Sequence, residues 1–206
     1  MGWYADQFLP RAINFVMDTG PMRRLREETV APLEGTVLEI GFGTGLNLPH
    51  MPSRVDRLLA VDPATLGRRL AAERIADASF PVDFVGLDGQ RVDLPDNAVD
   101  NALCTWTLCT IPDPTAALAE VRRILRPGGV LRFIEHGRHA DPGLAVWQDR
   151  VNPIQKFFAG GCHLNRPIDA LVTGAGFRID GLTQFAMPGP KIMSWNYTGT
   201  AVPQVD

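Results

Sequence analysis

The chain lacks a C-x-x-C pair, a long apolar run and an excess of charge of either sign, and each absence removes a class of function. Its three cysteines are an odd count without metal-ligand spacing, so neither a disulfide framework nor a metal site is expected, and a reducing compartment fits. No segment reads as a membrane span or a signal peptide, which leads to the expectation of a cytoplasmic protein with no integral membrane segment. A net charge of −3 gives no electrostatic footprint for nucleic acid. The paired arginines Arg23-Arg24, Arg68-Arg69 and Arg122-Arg123 fall on separate predicted helices and read as solvated faces. Repeats, low-complexity tracts and linker-like charge runs are missing as well. What remains is 206 residues with 45% apolar and 21% charged content, enough for one large α/β domain and too short for two.

Against that background, Val37-Leu38-Glu39-Ile40-Gly41-Phe42-Gly43-Thr44-Gly45 stands out. Val37, Leu38 and Ile40 suit a buried parallel strand, and Gly41, Gly43 and Gly45 let the backbone turn sharply and lie against a ligand. The spacing is G-x-G-x-G, with Leu46 where a dinucleotide-binding loop places its third glycine. Glu39 would repel a pyrophosphate and accept hydrogen bonds from an ammonium group. Leu58 to Asp62 reads as a second strand ending in a carboxylate twenty-one positions after Gly41, where nucleoside-binding folds bond a ribose diol. An adenosine joined to an amino acid describes S-adenosylmethionine.

With these residues the chain resembles the class I S-adenosylmethionine-dependent methyltransferases. The resemblance continues through Leu94-Pro95-Asp96-Asn97-Ala98-Val99-Asp100, similar to the family's turn into its fourth strand. It extends through the helix and Pro127-Gly128-Gly129 turn before the fifth. It implies a Rossmann-like, doubly wound sheet with an antiparallel last strand and N-terminal helices acting as a lid. Within that class, Cys104-Thr105, Leu108-Cys109, Glu135-His136, Trp147-Gln148, Asn152-Pro153 and Gly161-Cys162-His163-Leu164-Asn165-Arg166 resemble the methyltransferase-like alkyl thiol S-methyltransferases. The similarity runs from about residue 10 to residue 200. Those relatives carry an N-terminal membrane anchor that is not visible here, so their location is not inherited.

One domain is expected over 1–206, with a helical lid over 1–35, a cofactor-binding half over 36–140 and pocket helices with the last strands over 141–206. Leu9, Ile13, Val16 and Met17, then Met22, Leu25 and Val30, predict two helices broken at Gly20-Pro21. Residues 64–78 predict one helix, and strands are expected at 82–85, 99–104 and 130–135. Asp113-Pro114 marks a helix start, with Asp as N-cap and Pro in the first turn. Helices over 143–158 and 167–173 and strands over 177–182 and 192–198 complete the reading.

The cofactor should lie on Glu39, Gly41, Gly43, Gly45, Asp62 and Pro63, with Cys104 and Thr105 at the end of the fourth strand. Relatives place an Asp beside adenine. Here Gly86-Leu87-Asp88-Gly89-Gln90 offers Leu87 or Asp88 for that slot, depending on the alignment, and both are expected near the base. A small apolar acceptor, an alkyl or aryl thiol first, is implied. A thiol is only a few per cent ionised at neutral pH, so a base would help, and Glu135, His136 and His163 are the candidates. Each has a structural alternative: Glu135 and His136 as loop or helix caps, His163 as packing. Trp106, Trp147, Phe158 and Trp195 are candidate substrate-pocket residues, and Trp3, Tyr4 and Phe8 a candidate lid. The alternatives are an O- or C-methyltransferase of a quinone or natural product, or a binding protein without catalysis. Oligomeric state is not legible.

Overall fold

The computed structural model describes residues 9–204, so Trp3, Tyr4 and Phe8 lie outside the described residues. Two helices, α1 (Leu9–Val16) and α2 (Gly20–Val30), precede β1 (Gly35–Ile40). Gly20-Pro21 opens α2 rather than breaking a longer helix, because a proline in the first turn forfeits only an N–H with no helical partner. Then follow β2 (Val55–Val61), α3 (Thr65–Leu70), α4 (Ala72–Ala76), β3 (Val82–Gly86), β4 (Val99–Thr105), α5 (Pro114–Ile124), β5 (Leu125–His136), α6 (Pro142–Phe158), α7 (Ile168–Gly174), β6 (Phe177–Ala186) and β7 (Trp195–Pro203).

The strands form one sheet in the order β3-β2-β1-β4-β5-β7-β6, parallel except that β7 runs antiparallel to both β5 and β6. Alternate residues of the central strands feed two apolar layers. Leu38, Ile40, Ala102 and Cys104 face one layer with α5 and α7, while Val37, Leu58, Ala60 and Leu103 face the other with Val30 and Leu33. Burial on both sides explains why β1 reads as a continuous apolar run interrupted only by Glu39.

Three regions differ from expectation. Residues 64–78 form two short helices, because the first turns docked on the glycine loop fix α3: a Cβ on Gly67 would come within 2.5 Å of the Gly43 carbonyl, and Ala71 is fully buried against Gly45. β5 starts at Leu125, paired with Val99, and absorbs the Pro-Gly-Gly turn at a register shift, with Gly128 at φ +82. β6 and β7 pair as a long ribbon from Phe177↔Pro203 to Ala186↔Trp195, so Lys191–Met193 forms a 3₁₀ turn instead of a strand. Asp113 caps α5 as expected, accepting from the Ala116 N–H at 3.0 Å.

Candidate active site

The strand order reverses between β1 and β4, and the ends of these neighbours, Ile40 and Cys104, lie side by side. A crevice opens at such a point. Gly41, Gly43 and Gly45 all adopt positive φ there. A side chain on Gly41 would strike Thr107, whereas the space over Gly43 is open to 4 Å.

Glu39 ends β1 inside the protein, 1% exposed. Asn47 Nδ2 donates to its Oε1 at 2.6 Å and to Thr105 Oγ1 at 3.0 Å, and Asn47 Oδ1 accepts from Arg26 Nη1 at 2.7 Å. Arg26 Nη1 also reaches Thr105 Oγ1 at 3.3 Å, and the guanidinium lies 4.7 Å above the Trp106 ring. One amide thus bridges a buried cation and a buried carboxylate. Among the described residues, two atoms in this network have no partner, Glu39 Oε2 and Arg26 Nε. Burial pushes the Glu39 carboxyl up to about 8 despite the Asn47 bond and Arg26, and pulls Arg26 down to about 10.

Asp62 Oδ2 accepts from the Gly43 N–H at 2.7 Å and Oδ1 from the Ala64 N–H at 2.6 Å, so this carboxylate ties the glycine loop to the start of α3. Burial raises its pKa while both bonds lower it. It borders a cavity of about 320 Å³ with Ala64, Thr65, Arg68, Phe84 and Leu87, and Pro63 is exposed beside it. Leu87, 66% exposed, faces that cavity. Asp88 does not line it: its Oδ1 holds the Gln90 N–H and Nε2 at 2.9 and 2.8 Å, and Gln90 Oε1 accepts from the Asp113 N–H at 3.0 Å. Of the two residues offered for the base, Asp88 instead closes its own turn.

Glu135 ends β5 with both oxygens engaged. Oε1 accepts from the Thr107 and Leu108 N–H groups, each at 2.9 Å, and from Cys104 Sγ at 3.4 Å, and Oε2 accepts from the Cys109 N–H at 3.2 Å. This is the capping alternative, and it leaves Glu135 no free oxygen for a proton-transfer role. The same contact engages the Cys104 thiol, while its backbone pairs with Ile40 of β1. His136 is 8% exposed; its Nδ1 lies 3.8 Å from Cys162 Sγ, and its buried Nε2 has no partner among the described residues. Burial, Arg166 and Lys156 push His163 down to about 4, too weak a base for a thiol, and its N–H donates to the Cys109 carbonyl.

The aromatic candidates separate. Trp106, at φ +51, follows β4, donates Nε1 to Asn196 Oδ1 at 2.9 Å and carries the Arg26 guanidinium over its ring. Trp195 packs on the core and its ring centroid lies 4.2 Å from that of His139. Trp147 and Phe158 lie on the outer face of α6, 54% and 58% exposed, because its buried stripe is Ala145, Gln148 and Asn152. They do not help enclose a buried pocket, contrary to expectation.

Residues 38–133 match a family model described as a methyltransferase domain. The chain is 33% identical over 137 residues to the thiol S-methyltransferase TMT1B of Rattus norvegicus, covering 65% of this chain and 56% of the relative. It is 27% identical over 151 residues to a demethylmenaquinone methyltransferase of Paenarthrobacter aurescens, covering 70% and 56%. The chain thus spans little more than half the length of these relatives. A solved Haemonchus contortus phosphoethanolamine N-methyltransferase with S-adenosylhomocysteine bound superposes with a TM-score of 0.71 at 15% identity, over 95% of this chain and 57% of that one.

Residues 38–133 are thus similar to a methyltransferase domain, and the sheet that holds them has the Rossmann-like fold of solved methyltransferases. The chain's cofactor is S-adenosylmethionine, and the residues present fit that group: the fold offers an orphaned buried acceptor for an ammonium, open space over Gly43 for a flat ligand and the Asp62 cavity beyond it. Arg26 and Asn47 escaped sequence reasoning. Arg26 had a signal, since Met22, Arg26 and Val30 at four-residue spacing put it on the inward face of α2. Nothing local links Asn47 to Glu39.

Proposed function

We propose that the protein transfers a methyl group from S-adenosylmethionine to a small apolar thiol. The observation that carries the reading is the unpartnered Glu39 Oε2, a buried acceptor beside a glycine loop that asks for a cationic amine. When bound, the cofactor supplies a sulfonium methyl group open to in-line displacement. The residues of this chain hold and orient it. Glu39 would take the ammonium, Gly43 would allow close approach, Asp62 would offer its remaining lone pairs to the ribose diol, and Leu87, which lines the same cavity, would pack against the base. Asn14 of α1 accepts from Thr44 Oγ1 at 2.6 Å and Arg26 of α2 reaches the loop, which supports the two N-terminal helices as a cover that excludes water.

Similarity to thiol S-methyltransferases favours a thiol acceptor, and His136, with Nε2 unpartnered, is the group best suited to draw off its proton. Glu135 then positions the 107–109 loop rather than touching the acceptor. Similarity to a demethylmenaquinone methyltransferase supports a second reading, a quinol carbon acceptor. The test is incubation of purified protein with S-adenosylmethionine and an alkyl thiol, an aryl thiol, a phenol, a quinol and an amine, with S-adenosylhomocysteine and methylated products read by mass spectrometry. Methylated thiol is the expected product. Methylated quinol alone would replace the thiol assignment, and no product with cofactor bound would leave a binding protein.

A further inference from the structure

Cys109 lies in the loop after β4 and Cys162 in the turn after α6, and neither belongs to the glycine-loop site. The fold ties their segments together. The His163 N–H donates to the Cys109 carbonyl at 2.7 Å, and Gly160 and Gly161, both at positive φ, bend the chain back onto the loop. Arg166 fastens the same loop by donating Nη1 to the Leu108 and Ile111 carbonyls. Cys162 Sγ then sits 3.8 Å from His136 Nδ1 and Cys109 Sγ 3.5 Å from Thr110 Oγ1, with the two thiols near enough to interact.

Around this sulfur pair stand Thr110 on the Cys109 loop, His136 at the end of β5 and the Arg166 guanidinium, whose charge reaches both sulfurs, while the Glu135 charge acts on Cys109. The Cys109 hydrogen bond, helped by His136, holds the Cys162 thiol well below the ordinary range even though burial opposes it. The same bond and burial push Cys109 up. The two sulfurs are therefore unlike: Cys162 is only partly buried and has His136 beside it, whereas Cys109 is 2% exposed. Cys104 stands apart, buried with its thiol on Glu135.

We propose that Cys109 and Cys162 are a dithiol oxidised by small hydroperoxides, with Cys162 the attacking sulfur and Cys109 the resolving one. The Cys162 thiolate attacks the distal peroxide oxygen, the O–O bond breaks, and the alkoxide leaves as an alcohol after taking a proton from the His136 side. The resulting sulfenic acid is attacked by Cys109; the S–O bond breaks, and hydroxide leaves as water with the proton Cys109 had carried. Two thiols are oxidised by two electrons and one hydroperoxide is reduced to alcohol and water. The disulfide takes the thiolate away from His136 and staples the loop after β4 to the turn after α6. This chemistry stands without the methyl-transfer reading.

The test uses the whole reduced protein, treated with a few equivalents of hydrogen peroxide or cumene hydroperoxide, with remaining thiols blocked and the protein mapped by mass spectrometry. The expected result is loss of two hydrogens, a peptide cross-linked between residues 109 and 162, and Cys104 still reduced. Cys109→Ser should stop at a sulfenic acid on Cys162 that dimedone traps. Should that variant fail to fold, alkylation of the wild type still decides, since Cys162 should react with iodoacetamide at pH 6 about tenfold or more faster than an ordinary thiol. Ordinary reactivity of Cys162, a cross-link between chains or one involving Cys104 would overturn the proposal.

Discussion

Glu39 and Glu135 are two fully buried carboxylates at the C-terminal ends of neighbouring regions of one sheet, and they differ in what the fold gives them. Glu135 receives three backbone N–H groups and a thiol, while Glu39 receives one amide donor and keeps Oε2 bare. Burial raises both, to about 7 and about 8. A satisfied buried carboxylate is a builder: it shapes the 107–109 loop. An unsatisfied one has a desolvation cost the fold does not offset, which is what a site awaiting a cation looks like.

Removing Glu135 should have the largest effect. Glu135→Ala strands three buried N–H groups at about 1–3 kcal/mol each, so urea denaturation should show a loss on the order of 3–6 kcal/mol. A loss under ~1 kcal/mol would erase the distinction between the two residues. Arg26→Met should next weaken S-adenosylhomocysteine binding about tenfold to a hundredfold in calorimetry while leaving the fold intact. Unchanged affinity would place Arg26 in packing alone.

The pH dependence sharpens the same comparison. Free carboxyls titrate near 4.5, so between that value and about 8 the folded protein holds a proton on Glu39 that the unfolded chain has lost. Stability of the cofactor-free protein should therefore fall as pH rises through this window. Glu39→Gln should confine the fall to the Glu135 window, which ends near 7. Equal profiles for wild type and variant, read from denaturation midpoints, would contradict it. Trp147→Ala, on the outer face of α6, should shift stability by no more than ~0.5 kcal/mol.

Legibility in the sequence followed locality. The glycine loop and its acidic residue, the Asp113-Pro114 helix start and the alternation of strands with helices are written in neighbouring residues, and the antiparallel β7 came through the family resemblance. Leu87 and Asp88 illustrate the limit: both were within reach of the base, and a hydrogen bond from Gln90 decided which was engaged elsewhere. Asp62 was read for its ribose role, but its bond to the Gly43 N–H crosses between strands and has no sequence mark. Arg26 lay on an inward helix face that composition hid among scattered arginines. The Cys109–Cys162 approach depends on a long-range turn that an odd cysteine count argued against.

The most direct test is calorimetric titration of S-adenosylhomocysteine into Glu39→Gln near neutral pH, beside wild type and with circular dichroism to confirm folding. Losing the buried partner of an ammonium costs about 3–5 kcal/mol, so affinity should fall by roughly a hundredfold or more. Wild-type affinity in a folded Glu39→Gln protein would contradict the assignment of this site.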